Sequence, residues 1–170
     1  EQILASHSMV EGTMELGDVN SIVADLGGGD SVPYIDKLPG LSAEQRKAFG
    51  ETYLRTTRIQ RKLGRPLFIN KMPNDFRHIG LIHLILPNAK IIDARRHPMA
   101  CGWSCYKQHF AMGQHYTYDM AELGAYYRSY VRLMEHYDRV LPGRVHRVIH
   151  EELVSDPEPH IRALLEYCGL

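Results

Sequence analysis

The chain has 170 residues, which is enough for one domain with a substantial core. Its 20 Lys and Arg residues balance 20 Asp and Glu residues, which argues against a general nucleic-acid binder and makes any anion site a local one. No apolar run approaches the roughly 20 residues of a membrane span, and the ten His and three Cys residues lack the spacing of a metal site.

The first part of the chain is predicted to be mainly helical. An apolar pattern begins at once at Ile3 and Leu4 with no capping residue before it, which predicts a helix whose beginning is missing. Ser42 and Gln45 have the spacing of a capping box, which opens a long helix. The predicted elements are a helix at 1–7, a turn between Gly12 and Gly17, a helix at 18–26 closed by three glycines, a loop at 30–40 and a helix from 42 to about 63.

From residue 67 onward strands alternate with helices. The apolar pair Ile91 and Ile92 predicts a buried strand, and Pro98 suits the first turn of the helix that follows it. The predicted elements are a strand at 67–70, an exit turn at 71–75, a helix at 78–86, the central strand and its helix within 90–106, a helix from a capping box at 119–122 to about 141, a strand at 145–149, a helical turn at 151–154, and a helix from 156 to 168.

These elements predict an α/β fold. Strands that are separated by helical crossovers pair in parallel, and helices cover both faces of such a sheet. Three strands are few for this class. Together with the abrupt start at Glu1, the small number predicts that the first strand of the fold is absent from this chain.

The stretch 90–106 has the chemistry of an anion site. Arg95 and Arg96 follow the apolar part of the central strand, and a helix begins at Pro98. In open α/β sheets, ligands bind beyond the carboxyl ends of the strands. Two guanidinium groups beside the free N–H groups of a helix start therefore favour a phosphate.

Five segments, in this order, resemble the sulfotransferases that use 3′-phosphoadenosine 5′-phosphosulfate. The chain is most similar to the bacterial branch that is often attached to tetratricopeptide repeats, which itself resembles the tyrosylprotein sulfotransferases. The segments are 68–76, 81–92, 95–98, 104–106 and 151–158. The resemblance implies a P-loop-kinase-like three-layer α/β/α fold over residues 1–170, as one sulfotransferase domain that is partial at both ends. The N-terminal strand, the 5′-phosphosulfate loop and a downstream segment that closes over the nucleotide are expected to be missing.

The resemblance also implies a nucleotide site. Family members hold the 3′-phosphate with an Arg at a strand end and a Ser eight residues later, which correspond here to Arg96 and Ser104. Arg95 is a second candidate for the same phosphate, with an ion pair inside the sheet as its alternative. His150 stands where many members have a Tyr close to the nucleotide.

Two catalytic residues follow from the same resemblance. In the tyrosylprotein branch, a Glu shortly after the first helix is the general base, and Glu15 stands at the matching place with Glu11 as a rival. A Lys in an Asn-Lys-x-Pro turn steadies the sulfuryl or leaving oxygens, and Lys71 in the turn 70–73 matches it. No metal is implied.

The expected function is sulfuryl transfer from 3′-phosphoadenosine 5′-phosphosulfate to a hydroxyl or phenol, with adenosine 3′,5′-bisphosphate as product. A small molecule, a carbohydrate, a lipid and a peptide tyrosine all remain possible acceptors, and the oligomeric state stays open. The alternative is a non-catalytic or truncated nucleotide-binding domain of the P-loop-kinase-like fold, although no GxxxxGK[ST] loop is present. The three Cys residues, Cys101, Cys105 and Cys168, favour a reducing compartment and hence the cytoplasm.

Overall fold

The computed structural model describes residues 1–27 and 33–170, which form two compact units, Glu1–Ala89 and Lys90–Leu170. Among these residues the strands form two two-stranded sheets, one in each unit, and both strand pairs are parallel. The predicted α/β class with parallel strands is therefore confirmed. Two of the three glycines predicted to close the second helix lie outside the described residues, as does the start of the predicted loop at 30–40.

The first unit packs its helices around one apolar core. The elements are α1 (Gln2–Ala5), β1 (Val10–Gly12), α2 (Asp18–Gly27), α3 (Tyr34–Lys37), α4 (Ala43–Thr57), β2 (Leu67–Ile69) and α5 (Ile79–Ile85). The core contains Val19, Ile22, Leu26, Tyr53, Leu81 and Ile85. Helices α4 and α5 touch at Gly50, where an added Cβ would lie 2.2 Å from the carbonyl oxygen of Ile85. Only glycine allows so close an approach of the two backbones.

Strand β1 falls partly in the predicted turn between Gly12 and Gly17, so the turn assignment at Gly12 is wrong. The strand pairs with β2 in the register Val10 with Leu67 and Gly12 with Ile69. Its central residue is Glu11, which is buried. A three-residue strand with a charged residue at its centre has no alternating apolar pattern to detect. Its discovery also corrects the prediction of only three strands.

Helix α4 begins as predicted and ends earlier. Ser42 and Gln45 make both bonds of the capping box, at 3.2 and 2.9 Å. The α-helix stops at Thr57 instead of about residue 63 and is followed by one 3₁₀ turn, Arg58–Gln60. The N–H of Leu63 donates to the buried Glu11 carboxylate at 2.6 Å instead of to a helical carbonyl. A tertiary hydrogen bond thus replaces the last turns of the predicted helix.

The described part of the predicted loop at 30–40 is also more ordered than expected. It contains the single helical turn α3 and the 3₁₀ turn Leu38–Gly40. Pro33 and Pro39 stand at or next to the starts of these turns, where proline costs no hydrogen bond. The two prolines of this segment therefore indicate the starts of helical turns instead of a loop.

The second unit agrees closely with the predicted elements. These are β3 (Ile91–Arg95), α6 (Pro98–Lys107), α7 (Met120–Val140), β4 (Val145–Ile149), α8 (His150–Ser155) and α9 (Pro157–Cys168). The carboxylate of Asp119 caps α7 by accepting from the N–H groups of Ala121 and Glu122. Asp156 occupies the N-cap position of α9 but its side chain makes no capping bond.

Strands β3 and β4 run side by side over their full lengths, from Ile91 opposite Val145 to Arg95 opposite Ile149. Tyr167 of α9 closes the start of this pair, because its hydroxyl accepts from the N–H of Ile91 at 3.2 Å and donates to the carbonyl of Arg144 at 2.7 Å. The carboxyl ends of both strands therefore meet at the opposite edge, where α6 and α8 begin.

Candidate functional site

Glu15 and Lys71 are in direct contact in the first unit. The Lys71 ammonium donates to Oε1 of Glu15, and both side chains are about half exposed to solvent. Glu15 belongs to the connection between β1 and α2, and Lys71 follows β2 by two residues. The structure therefore brings together the two residues that the sequence indicated as catalytic, and it leaves both within reach of a bound molecule.

The backbone explains why these two segments meet. Thr13, the first residue after β1, donates its N–H to the carbonyl of Ile69 at 3.3 Å and its hydroxyl to the same oxygen at 2.6 Å. These bonds extend the pairing of β1 and β2 past the last strand residues. Parallel strands deliver their following residues to the same edge of a sheet, which is where α/β proteins place their ligands.

Glu11, the rival of Glu15, has a structural role. It is 1% exposed, and its two oxygens accept from the N–H of Leu63 at 2.6 Å and from Nε of Arg61 at 3.3 Å. The Arg61 guanidinium also lies 4.7 Å from the centre of the Phe68 ring. A carboxylate that is buried and already bonded on both oxygens cannot approach an acceptor hydroxyl, so the geometry favours Glu15 as the base.

Arg96 and Ser104 belong to the second unit. Arg96 directly follows β3, and Ser104 lies in the second turn of α6. Both side chains are exposed, and within residues 1–27 and 33–170 neither one makes a hydrogen bond or an ion pair. An uncommitted guanidinium beside the start of a ten-residue helix fits a phosphate dianion, because free backbone N–H groups and the helix dipole favour negative charge there.

Arg95 is committed to an ion pair inside the sheet. Its Nε donates to Oδ2 of the buried Asp93 at 2.7 Å, and its guanidinium lies 5.1 Å from the centre of the Tyr130 ring. Asp93 also accepts from the hydroxyl of Tyr130 and from Nε of Arg147. The geometry favours the ion-pair alternative for Arg95 over direct contact with a nucleotide.

Sequence reasoning missed this cluster around Asp93. The signal was present, because an acidic residue inside an apolar strand must find partners when the strand is buried. Burial and the Asp93 carboxylate raise the pKa of Tyr130, so this hydroxyl stays protonated and acts as a donor. Hydrogen bonds to Asp138, first, and to Asp93 raise the pKa of Arg147, although burial opposes the shift.

His150 is exposed at the first position of α8, directly after β4. Because Arg95 pairs with Ile149, Arg96 and His150 leave neighbouring strands at the same edge of the sheet. Glu151 links the two exits, since its Oε1 accepts from the backbone N–H of His97 at 3.0 Å. That hydrogen bond, with smaller contributions from the two histidines, lowers the pKa of Glu151. Glu151 lies in the segment 151–158 that resembles the family, but the sequence indicated no individual role for it.

Asp75, four residues after Lys71, is a partly buried acid. Oδ1 of Asp75 is buried and has no partner among the described residues. Burial raises the pKa of Asp75 to about 6, and the nearby Arg77 only partly opposes the shift. A carboxyl whose folded pKa exceeds its unfolded value destabilises the fold when it ionises. Protonated Asp75 therefore makes its full contribution to the free energy of unfolding below about pH 4, and this contribution is lost as the pH rises through about 6.

Asp75→Asn should therefore stabilise the protein above pH 6 and have little effect near pH 4. After allowance for solvent screening, we expect a gain on the order of 1 kcal/mol at pH 7.5. Thermal unfolding of both proteins at pH 4.5 and pH 7.5 measures the difference. Asp36→Asn, an exposed acid on α3, serves as the control and should show no such pH dependence. Equal gains at both pH values would contradict the assigned pKa.

The described residues offer neither a metal site nor a membrane span. No group of three or more His, Cys, Asp or Glu side chains there is arranged to hold a metal ion. No helix in the same residues has the length and hydropathy that crossing a membrane requires.

Comparisons with known proteins bear on the family and the fold of the chain. The model of a family described as the sulfotransferase family matches residues 1–170. A protein of Aquifex aeolicus (strain VF5), named only as uncharacterized, is 34% identical over 183 residues; these cover all of this chain and 23% of that protein. The chain thus spans about a quarter of the length of this relative. The solved sulfotransferase domain from the curacin biosynthetic pathway has the same fold, with a TM-score of 0.61 at 14% identity, over 99% of this chain and 68% of that one.

Proposed function

Because the chain belongs to the sulfotransferase family, we propose that it transfers a sulfuryl group from 3′-phosphoadenosine 5′-phosphosulfate to an acceptor hydroxyl or phenol. The observation that carries this proposal is the contact between Glu15 and Lys71. It pairs an accessible carboxylate with an accessible ammonium where two parallel strands end. We also propose that the chain belongs to the bacterial branch similar to tyrosylprotein sulfotransferases, on the strength of the turn that contains Lys71.

The pair suits the chemistry of sulfuryl transfer. The Glu15 carboxylate accepts the proton of the acceptor hydroxyl, while the acceptor oxygen bonds to sulfur and the bond from sulfur to the 5′-phosphate oxygen breaks. Lys71 donates to the oxygen on which negative charge develops. When bound, the nucleotide supplies an activated sulfuryl group and a stable phosphate leaving group.

Arg96 and Ser104 support the choice of donor. Adenosine 3′,5′-bisphosphate differs from ordinary adenosine nucleotides by its 3′-phosphate, and these two uncommitted side chains suit that group. His150 at the neighbouring strand exit is proposed to contact the same nucleotide. Arg95 remains a candidate only through its terminal nitrogen Nη2, which is buried and has no partner in the described part of the chain.

Transfer of radiolabelled sulfuryl groups tests the function directly. The full-length protein is incubated with labelled donor and four acceptors: a small phenol, a fatty alcohol, an oligosaccharide and a tyrosine peptide. Transfer to one of them supports the proposal and identifies the acceptor class. Saturable binding of adenosine 3′,5′-bisphosphate without any transfer would favour the non-catalytic alternative. A protein that neither binds the bisphosphate nor transfers the label would overturn the proposal.

Arg96→Ala should weaken binding of adenosine 3′,5′-bisphosphate by about 10- to 100-fold, because a charge-assisted hydrogen bond contributes about 1.5–3 kcal/mol. Isothermal titration calorimetry measures the loss. Adenosine 5′-monophosphate, which has no 3′-phosphate, should bind both proteins equally. Arg162→Ala is the matched control, because this exposed arginine on α9 pairs, among the described residues, only with Glu158 on its own helix. Equal heats for wild type and Arg96→Ala would remove Arg96 from the site.

A further inference from the structure

Asn70 links the two segments that carry Glu15 and Lys71. It is the residue directly before Lys71, and its Oδ1 accepts from the backbone N–H of Leu16 at 3.2 Å. Leu16 in turn directly follows Glu15. One short side chain therefore joins the neighbour of the proposed base to the neighbour of the proposed lysine.

The amide group of Asn70 is held from its other side as well. Its Nδ2 donates to the hydroxyl of Tyr53 at 3.1 Å. The orientation of the amide is determined by its partners, because the N–H of Leu16 can only donate and therefore requires the oxygen. The nitrogen must then face Tyr53. Both ends of the amide are thus used, and no equivalent flipped arrangement exists.

Tyr53 anchors this connection in the packed interior. Its side chain is 5% exposed and belongs to the core of the first unit, where its ring stacks on Phe68 with the centres 6.4 Å apart. Burial is the largest cause of its raised pKa, so the hydroxyl stays neutral: its oxygen accepts from Asn70 while its proton remains available for donation. A core residue cannot move freely, so the position of Asn70 is fixed relative to the core.

We propose that Asn70 is a positioning residue that, anchored by Tyr53, fixes Glu15 beside Lys71 for the transfer step; this inference rests on the proposed function. The contact between Glu15 and Lys71 is half exposed, and an exposed ion pair alone holds two flexible side chains weakly. The hydrogen bonds of Thr13 to Ile69, one from its N–H and one from its hydroxyl, stop two residues before Glu15. Asn70 provides a hydrogen bond on the other side of Glu15, so the backbone of Glu15 lies between two fixed points.

Asn70→Ala should lower kcat by about 10- to 100-fold, because a displacement of about 1 Å in a reacting group costs up to about 100-fold in rate. The dissociation constant for adenosine 3′,5′-bisphosphate, measured by calorimetry, should stay within about twofold. Asn88→Ala is the matched control, an exposed asparagine in the connection before β3, and it should transfer at the wild-type rate.

Two further variants separate positioning from general stability. Asn70→Asp keeps an acceptor for the N–H of Leu16 and can accept from the Tyr53 hydroxyl. Its kcat should therefore be about tenfold or more above that of Asn70→Ala. Tyr53→Phe should lower kcat, and adding it to Asn70→Ala should cause little further loss, because both changes break the same connection. Amide hydrogen exchange at Leu16 should accelerate in Asn70→Ala and stay unchanged in Asn88→Ala.

The outcomes distinguish this inference from the function on which it rests. A wild-type protein that transfers to none of the four acceptors overturns the proposed function and the positioning role together. A wild type that transfers, with Asn70→Ala at an equal kcat, overturns the positioning role alone. A loss of rate in Asn70→Ala that only matches its unfolded fraction, measured by circular dichroism, also overturns it. Recovery in Asn70→Asp with unchanged nucleotide binding supports it.

Discussion

Replacement of Glu15 by Gln is expected to lower kcat by about two to four orders of magnitude, which is the usual contribution of a general base. Glutamine has nearly the same shape and can still accept a hydrogen bond from Lys71, but its amide oxygen cannot take a proton at neutral pH. Nucleotide binding should therefore stay close to that of the wild type. Single-turnover sulfuryl transfer measures the chemical step separately from product release.

Glu11→Gln is the matched control, since it makes the same change four residues away. Glu11 is buried and pairs with Arg61, so its replacement should lower the free energy of unfolding while the rate per folded molecule stays near the wild-type value. Full transfer by Glu15→Gln would remove Glu15 as the base. Loss of transfer in a folded Glu11→Gln variant would instead move that role to Glu11.

The sequence predicted those elements that local patterns determine. Helix α7 has an apolar stripe and an Asp at its N-cap, and β4 alternates between apolar and basic residues, so both were found within one residue. The sequence did not predict strand β1, because Glu11 interrupts its apolar pattern. The partner that makes the burial of Glu11 tolerable is Arg61, which lies 50 residues away. Nothing in the local sequence predicts a contact over that distance.

The candidate site likewise has features that the sequence predicted and features that it did not. Arg96 and Ser104 have a recognisable spacing, and the resemblance gave roles to Glu15 and Lys71. No pattern indicated that Glu15 and Lys71 touch, since that contact depends on the parallel pairing of β1 with β2. The choice between Glu15 and Glu11 as the base also depended on the solvent exposure of the two side chains, which the structure provides. The supporting residues Asn70 and Asp93 act through tertiary hydrogen bonds, which a single sequence does not reveal.

The second large effect is expected at Asp93. This buried carboxylate accepts from Arg95, Arg147 and Tyr130, and so it neutralises two cations between the strand pair and α7. Arg95 is the more dependent of the two, because its guanidinium is largely buried and one of its terminal nitrogens already has no partner in the described residues. Arg147 retains Asp138 as a second partner at 2.8 Å.

Asp93→Ala should lower the free energy of unfolding by about 3–5 kcal/mol, since it leaves a buried cation without compensation. Denaturant unfolding followed by the fluorescence of Trp103, the only tryptophan, reports on the unit that contains Asp93. Asp138→Ala removes an exposed partner of the same Arg147 and should cost below about 1 kcal/mol.

The double variant Asp93→Leu with Arg95→Met identifies the cause of that loss. It removes the buried acid together with its most dependent cation, so it should recover much of the stability lost in Asp93→Ala, because apolar residues often replace a buried ion pair at little cost. An Asp93→Ala protein within about 1 kcal/mol of the wild type would contradict the assigned role of the cluster. So would a double variant as unstable as Asp93→Ala, since the uncompensated charge of Arg95 would then not be the cause.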